Sequence, residues 1–254
     1  MNIFVLSRNP WAAARMMCDQ HVVKMILESA QMLNTNPIIS DERRPRTATG
    51  EIYRQSHVNH PCSIWSRSSI IHTRWLVMHG MALCLEYRRR YNKTHALHFF
   101  FVEMLRFHNF RSAASDLVVP YYYHQSENNL EICRGLIRWG SVALMSNDKG
   151  FSDAVDSGII TDSDCLSTTA RRTLTNDYWI RVVMTNEIGS RVLDYLSENP
   201  NMYFYDIDYV QAMPDEYKHS NPVTAYRNYY RAEKSKFARY SRGVDPPEWL
   251  ADSL

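Results

Sequence analysis

The sequence predicts a mostly α-helical protein, folded as a compact bundle of about six to seven helices with a short extended N-terminal arm. Three observations favour this fold class. Apolar residues recur at helical spacing, as on one face of the first long segment: Val22, Ile26, Ala30 and Leu33. A capping residue followed by proline, typical of a helix start, occurs at Pro10, Pro61 and Pro222. Glycine is scarce, at 8 of 254 residues, which disfavours tight-turned β architectures.

The first half of the chain is predicted to contain the arm and two long helices with a basic loop between them. The predicted bounds are 2–6 for the arm, 9–34 and 59–92 for the helices, and 34–50 for the loop. The loop contains two prolines and three arginines, which is why it is not assigned to a helix. Gly80 is a candidate bend in the second helix.

The second half is predicted to be helical around one acidic segment. Helical patterns cover residues 97–107, 130–145, 177–196 and 221–240. Residues 148–164 carry five aspartates against one lysine, a net charge of −4, and are interpreted as a solvated acidic loop or a small insertion. We expect a single helical domain over residues 1–254.

Composition excludes several classes of protein. With 45% apolar and 22% charged residues, the chain is too apolar to be disordered. Its net charge of +2 requires any affinity for a polyanion to come from local clusters. Five cysteines without a CxxC pair disfavour disulfide frameworks and zinc ribbons, and no segment approaches the roughly 20 apolar residues of a membrane span. We expect a cytoplasmic protein of a cell or a phage, with no metal, cofactor or membrane partner.

The first helix carries the strongest chemical signal. His21, Lys24, Glu28 and Gln31 are spaced 3, 4 and 3 residues apart, so they form one stripe roughly opposite the apolar face. Such a stripe can present a general acid or base and a cation to a substrate. The alternative is a solvent-facing side in which Lys24 and Glu28 form an ordinary i,i+4 pair.

A second candidate lies at the start of the second long helix. Asn59 and His60 precede Pro61, and the free N–H groups of a first helical turn attract anions, so both residues could hold a phosphate or a base edge. The alternative is that one of them only caps the helix. His57, His60 and Cys62 lack a fourth partner at ligand spacing, and no metal site is predicted.

The third candidate is the basic, aromatic C-terminal segment. Residues 218–242 contain seven Lys or Arg and one acid, a net charge of +6, with five aromatic residues interleaved. Arg227, Arg231 and Lys234 share one helical face. Cations together with stacking rings are what distorted or single-stranded nucleic acid requires. The alternative is an amphipathic helix whose tyrosines pack inward.

These blocks together resemble a known family. Asp19-Gln20-His21 followed by Glu28 is similar to a helix of the phage-type pyrimidine-dimer DNA glycosylase (endonuclease V) family. Asn59-His60-Pro61 before a long helix resembles a stretch of its bacterial relatives, and the same blocks occur in a group of phage proteins. The likeness covers residues 1–34, 57–93 and 213–249, which makes approximately 110–205 an insertion relative to that family.

The resemblance implies an enzyme that flips a damaged or modified pyrimidine out of double-stranded DNA and releases the base. It places Glu28 at the family's catalytic carboxylate, with His21 polarising or protonating the departing base or holding a phosphate, and Lys24 as a phosphate clamp or amine. The expected substrate and DNA contacts are Asp19, Gln31, Asn59, His60, Arg67, Tyr226, Arg227, Tyr230, Arg231 and Lys234.

The nucleophile of the resembled enzymes is not matched. They use the α-amine of a small residue exposed when Met is removed, whereas Asn2 is bulky, so Met1 is expected to stay. Three possibilities follow: the Met1 α-amine, the Lys24 amine, or a water activated by Glu28. Leu27 stands where the family has an arginine beside the catalytic glutamate, which makes base release a firmer expectation than strand nicking.

Two other functions stay open from the sequence. One is a phage DNA-modification transferase that acts on a hydroxymethylated pyrimidine through the same flipped-base pocket. The other is a non-catalytic nucleic-acid-binding protein, in which the stripe of His21 and Glu28 would be exposed and far from any pocket.

Overall fold

The computed structural model describes residues 1–47, 49–107, 190, 193–194, 196–198 and 203–253. Within these ranges the regular structure is helical and contains no strand, so the predicted mostly α class is confirmed. The predicted helix at 130–145, the acidic segment and most of the 177–196 helix lie outside the described residues. So does most of the predicted insertion.

Seven α-helices have defined bounds in the described ranges and are numbered here in chain order; residues 190, 193–194 and 196–198 are helical as well. The seven are α1 (Pro10–Arg15), α2 (Asp19–Asn34), α3 (Pro61–Ser68), α4 (Ile70–Tyr91), α5 (His98–Phe107), α6 (Pro222–Tyr229) and α7 (Glu248–Ala251). A single π-helical turn, Tyr230–Lys234, continues α6. Two short 3₁₀ turns, Asp41–Arg43 and Asp215–Tyr217, also lie in the described ranges.

Each of the two long helices predicted from the sequence is divided. The first breaks between α1 and α2, and Asn9 caps α1 by accepting hydrogen bonds from the next turn. The second breaks at Ser69, whose backbone is extended (φ −152°, ψ 158°) and whose hydroxyl caps α4 by accepting from His72 N–H. α4 runs without a break through Gly80, so the bend expected there is wrong and the division lies eleven residues earlier.

The C-terminal helix begins where it was predicted to begin and ends early. The Asn221 side chain accepts from the N–H groups of Val223 and Thr224, and Pro222 occupies the first turn. The helix then widens at Tyr230 into the π-helical turn and ends at Lys234 instead of near residue 240.

The extended N-terminal arm is not confirmed. Residues 1–9 form no strand, and Phe4 has a positive φ of 37°. The Asn2 side chain accepts from the N–H groups of Ile3 and Phe4 and donates to the Ala212 carbonyl. The first residues are therefore a coiled segment packed into the core.

Helix α4 is the centre of the described core. It packs against α1, α2, α3 and α5, and fifteen of its residues are buried, including Trp75. Trp75 donates from its indole N–H to the Arg8 carbonyl, which ties α4 to the N-terminal segment. Gly80 faces the Phe101 ring of α5, and a Cβ atom at Gly80 would overlap that ring.

Replacing Gly80 by alanine should therefore overpack the α4–α5 contact. We expect Gly80→Ala to lower the free energy of unfolding by about 1–3 kcal/mol, measured by urea denaturation. Combining it with Phe101→Leu should recover part of the loss, because the smaller side chain makes room. Equal stability of Gly80→Ala and the parent would show that the two helices do not approach this closely.

His79 of α4 makes stability dependent on pH. It is fully buried, its Nδ1 lies 3.0 Å from the Pro10 carbonyl, and burial lowers its pKa to about 4. An unfolded histidine, with a pKa near 6.5, binds the proton first, so this contribution is complete above pH 6.5 and is lost as pH falls towards 4.

We expect His79→Gln to flatten the dependence of unfolding free energy on pH between 6.5 and 4. The loss attributable to His79 over that window is about 3 kcal/mol, because its pKa is about 4 in the folded protein and near 6.5 when unfolded. Glutamine keeps a donor for the Pro10 carbonyl but does not titrate. Parallel pH curves for variant and parent would contradict the assignment.

Candidate functional site

The carboxylate of Glu28 is the centre of the candidate site. Glu28 lies in the middle of α2 and is 8% exposed. Its Oε2 accepts the Asn2 backbone N–H at 3.0 Å and lies 3.8 Å from the Met1 α-amino nitrogen. Its Oε1 lies 3.3 Å from Lys24 Nζ. One buried carboxylate is thus held by the coiled N-terminal segment and by its own helix.

A cavity of about 290 Å³ opens beside this carboxylate. Three parts of the chain line it: Asn2 and Phe4 from the N-terminal segment, His21, Lys24 and Glu28 from α2, and Tyr229, Lys234 and Phe237 from the C-terminal segment. The stripe predicted on α2 therefore faces a cavity over three of its four positions. Gln31, the fourth, is half-buried and does not line it.

His21 enters the cavity as a neutral imidazole. It is 7% exposed and stacks on the Phe4 ring at 4.6 Å, and its Nδ1 lies 2.8 Å from the Tyr230 hydroxyl. Burial, followed by the positive charges of Lys234 and Lys24, lowers its pKa to about 4. Near neutral pH the ring can donate or accept a hydrogen bond but holds no preformed imidazolium proton.

Cations predominate around the cavity. Among the described residues that line it there are three cationic groups: the Met1 α-amine, Lys24 and Lys234. The same lining contains one carboxylate, that of Glu28. Lys234 Nζ lies 4.6 Å from the centre of the Tyr229 ring and 6.0 Å from that of Phe237. Cations beside aromatic rings suit a ligand that carries both phosphate and a planar base.

Three residues predicted to bind substrate lie around α3 and do not line the cavity. Asn59 is exposed. His60 caps α3 by accepting the Cys62 N–H at its Nδ1, and burial followed by the Met1 amino charge lowers its pKa. Arg67 donates to the Val58 carbonyl at 2.8 Å and to the Thr35 hydroxyl at 3.2 Å.

Asp19 lies at the start of α2, away from the cavity. Its carboxylate pairs with Arg90 at 2.9 Å and accepts hydrogen bonds from the N–H and hydroxyl of Ser241. Arg90 also donates to Glu86 at 2.6 Å, and these three ionic side chains are buried. Asp19 therefore fastens the C-terminal segment to α2 and α4.

Some residues of the C-terminal segment are buried in the core, and others line the cavity. Tyr226 and Tyr230 are fully buried, and the Tyr226 hydroxyl donates to the Val210 carbonyl. Arg227 donates to the Leu6 carbonyl at 2.9 Å, and Arg231 donates to the Trp249 carbonyl. Of the five residues predicted here as DNA contacts, Lys234 is the one that lines the cavity.

Sequence reasoning missed the aromatic wall of the cavity formed by Phe4, Tyr229 and Phe237. The positive φ of Phe4, which aims its ring at His21, has no sequence signal in a non-glycine residue. Tyr229 and Phe237 are two of the five aromatic residues interleaved with the cations of residues 218–242, and their spacing does not distinguish them from the buried Tyr226 and Tyr230.

No group of three metal-binding side chains occurs within the described ranges. Likewise, none of the helices described is long and apolar enough to cross a membrane.

Removing the charge of Asp19 should destabilise the fold without altering the cavity lining. We expect Asp19→Asn to lower the free energy of unfolding by about 3–5 kcal/mol, because it leaves Arg90 buried with one carboxylate fewer. Asp215→Asn is the control, since Asp215 pairs with Lys218 in full solvent and should give no measurable change. Equal effects of the two substitutions in urea titrations would contradict this role.

Comparison with known proteins connects this geometry to a family. A family model described as pyrimidine dimer DNA glycosylase matches residues 1–99, less than half of the chain. The resemblance predicted from the sequence is thereby shown for the part that contains His21, Lys24 and Glu28. No curated protein and no solved structure matches the chain.

Proposed function

We propose that this protein is a DNA glycosylase-like enzyme that releases a damaged or modified pyrimidine from double-stranded DNA after drawing the nucleotide out of the helix. One observation carries the proposal: the buried Glu28 carboxylate lies at a cavity, with amines 3.3 and 3.8 Å away. The match of residues 1–99 to the pyrimidine dimer DNA glycosylase family supports it independently.

The chemistry of base release explains why a buried carboxylate is useful. When the bond between C1′ and the base nitrogen breaks, its electron pair leaves with the base and positive charge develops on the sugar. A carboxylate fixed beside C1′ stabilises that charge, and more strongly in a cavity from which water has been displaced. Glu28 takes this role because its hydrogen bond from Asn2 N–H fixes one oxygen in place.

Three groups compete to attack C1′. An amine, either the Met1 α-amine or Lys24 Nζ, would expel the base and form a C1′–N bond, losing protons to Glu28 and solvent. Opening of the sugar ring, in which the C1′–O4′ bond breaks and O4′ takes up a proton, would then leave an imine at C1′. A water molecule would leave a hydroxyl at C1′ and give its proton to Glu28. Both amines approach the same carboxylate, so the arrangement serves either route.

The cationic lining accounts for DNA as the partner. Lys24 and Lys234 lie at the cavity and are proposed to pair with phosphates that flank the extruded nucleotide. Six other residues predicted to bind substrate or DNA lie outside the cavity lining and are proposed as contacts to the surrounding duplex: Gln31, Asn59, His60, Arg67, Arg227 and Arg231. Asp19, Tyr226 and Tyr230 are left out of this surface because their polar groups are engaged in the core.

Substituting the carboxylate tests the proposal. We expect Glu28→Gln to reduce release of base by roughly 10²–10³-fold, because the amide keeps the shape and the bond from Asn2 but loses the charge. Glu233→Gln is the matched control, since Glu233 pairs with Lys236 outside the cavity lining. Release at the parent rate by Glu28→Gln would contradict the assignment.

The assay should offer duplexes that contain a thymine dimer, uracil or a hydroxymethylated pyrimidine, with the products analysed by mass. Excision yields free base and an abasic site, whereas the base-modifying alternative yields a heavier nucleoside. Binding without either product would leave only a nucleic-acid-binding protein. Borohydride added during turnover traps an imine, and comparison with Lys24→Arg shows which amine formed it.

A further inference from the structure

The Tyr230 hydroxyl is the inner partner of His21. Tyr230 begins the π-helical turn and is fully buried. Its oxygen accepts the Cys18 backbone N–H at 2.9 Å and lies 2.8 Å from His21 Nδ1. The Cys18 amide donates to this oxygen, and the Cys18 thiol and the Tyr240 hydroxyl also interact with it. Of the groups around the Tyr230 hydroxyl, the imidazole nitrogen is a stronger acceptor for its proton than a thiol sulfur or a phenol oxygen. The sequence placed Tyr230 on the DNA, whereas its hydroxyl lies behind the histidine.

The other ring nitrogen of His21 is open to the cavity. Nε2 has no hydrogen-bond partner within the described part of the chain, and it is not enclosed. The Nε2 atoms of His79 and His98, by contrast, are both unpaired and enclosed. Because His21 lines the cavity and its Nδ1 is turned to Tyr230, Nε2 is the ring atom that a ligand can reach.

Burial, together with the charges that face His21, keeps it neutral. Lys24 approaches from α2 and Lys234 from the π-helical turn, while Phe4 stacks on the ring and Phe237 meets its edge at 5.7 Å. Burial and both lysines act in the same direction and lower the His21 pKa to about 4. A neutral imidazole carries one proton, and its Nδ1 partner decides which nitrogen holds it.

We infer, building on the proposed function, that Tyr230 is the positioning residue of the site: it donates to His21 Nδ1 and fixes the neutral tautomer whose Nε2–H points into the cavity. That N–H donates a hydrogen bond to a carbonyl oxygen of the bound pyrimidine. As the glycosidic electron pair moves into the base, negative charge grows on this oxygen and the hydrogen bond strengthens. The proton stays on His21 throughout.

This role of His21 sets a requirement on the substrate. The base must present a carbonyl oxygen to His21, which uracil, thymine and hydroxymethylated pyrimidines all do. It also changes the part expected of His21, which acts as a neutral donor and not as an acid that protonates the departing base.

The tautomer can be observed directly by ¹⁵N NMR of the imidazole nitrogens, with the His21 signals assigned from His21→Gln. We expect one tautomer, protonated at Nε2, in the parent protein. Tyr230→Phe should give a mixture of tautomers or protonation at Nδ1. A parent protein protonated at Nδ1, or a Tyr230→Phe spectrum identical to that of the parent, would overturn the inference.

Tyr226→Phe is the matched control. Tyr226 lies four residues earlier, is equally buried, accepts the Ala212 backbone N–H and donates to a carbonyl, but its hydroxyl does not touch His21. It should cost stability as Tyr230→Phe does and leave the tautomer of His21 unchanged. A shift of tautomer in both variants would indicate a general loss of packing and would also overturn the inference.

Kinetics separate this inference from the proposed function. Tyr230→Phe should lower kcat for base release by roughly tenfold with KM nearly unchanged, because the hydrogen bond strengthens only as the bond breaks. A parent protein that releases no base overturns the proposed function, and the NMR result then still decides whether Tyr230 fixes His21. Parent activity with an unchanged kcat in Tyr230→Phe overturns the positioning role alone.

Discussion

A buried carboxylate needs hydrogen-bond donors, and Glu28 obtains its closest one from the backbone of Asn2. This interaction joins the coiled N-terminal segment to α2. The Asn2 side chain in turn holds the Ala212 carbonyl, so the same residue draws in the C-terminal part of the chain. Three separate pieces of sequence meet at one anionic group, and the cavity exists where they converge.

Different turns of helix α2 hold the fold together and line the cavity. Asp19, in its first turn, is neutralised by Arg90 and bound by Ser241, which fixes the C-terminal segment against the helix. Glu28, nine residues later, keeps part of its surface at the cavity. The buried ion pair orients the helix, and the orientation determines what the later residues face. The lining of the cavity therefore depends on a buried ion pair that lies outside it.

Local signals in the sequence predict the helices and part of the site. Asn9, His60 and Asn221 all act as caps before a proline, and three of the four residues in the periodic stripe of α2 line a cavity. The division at Ser69 was missed because apolar spacing continues through it, and only the packing of α3 and α4 reveals the extended residue. The aromatic wall was missed because it depends on long-range contacts. Phe4 reaches His21 only through a backbone conformation that its residue type disfavours.

The π-helical turn at Tyr230–Lys234 inserts one residue into what would otherwise be a continuous α-helix. Relative to an α-helix, each residue after such an insertion is rotated by about 100° around the axis. Tyr226 and Tyr230 are buried, whereas Lys234 and Phe237, which follow them, line the same cavity as Glu28. A homologous chain that lacks one residue at this point would have nearly the same composition, but the side chains after the deletion would point in a different direction around the helix axis. When orthologues are compared, a deletion in this turn therefore says more about whether the cavity lining is kept than a conservative substitution does.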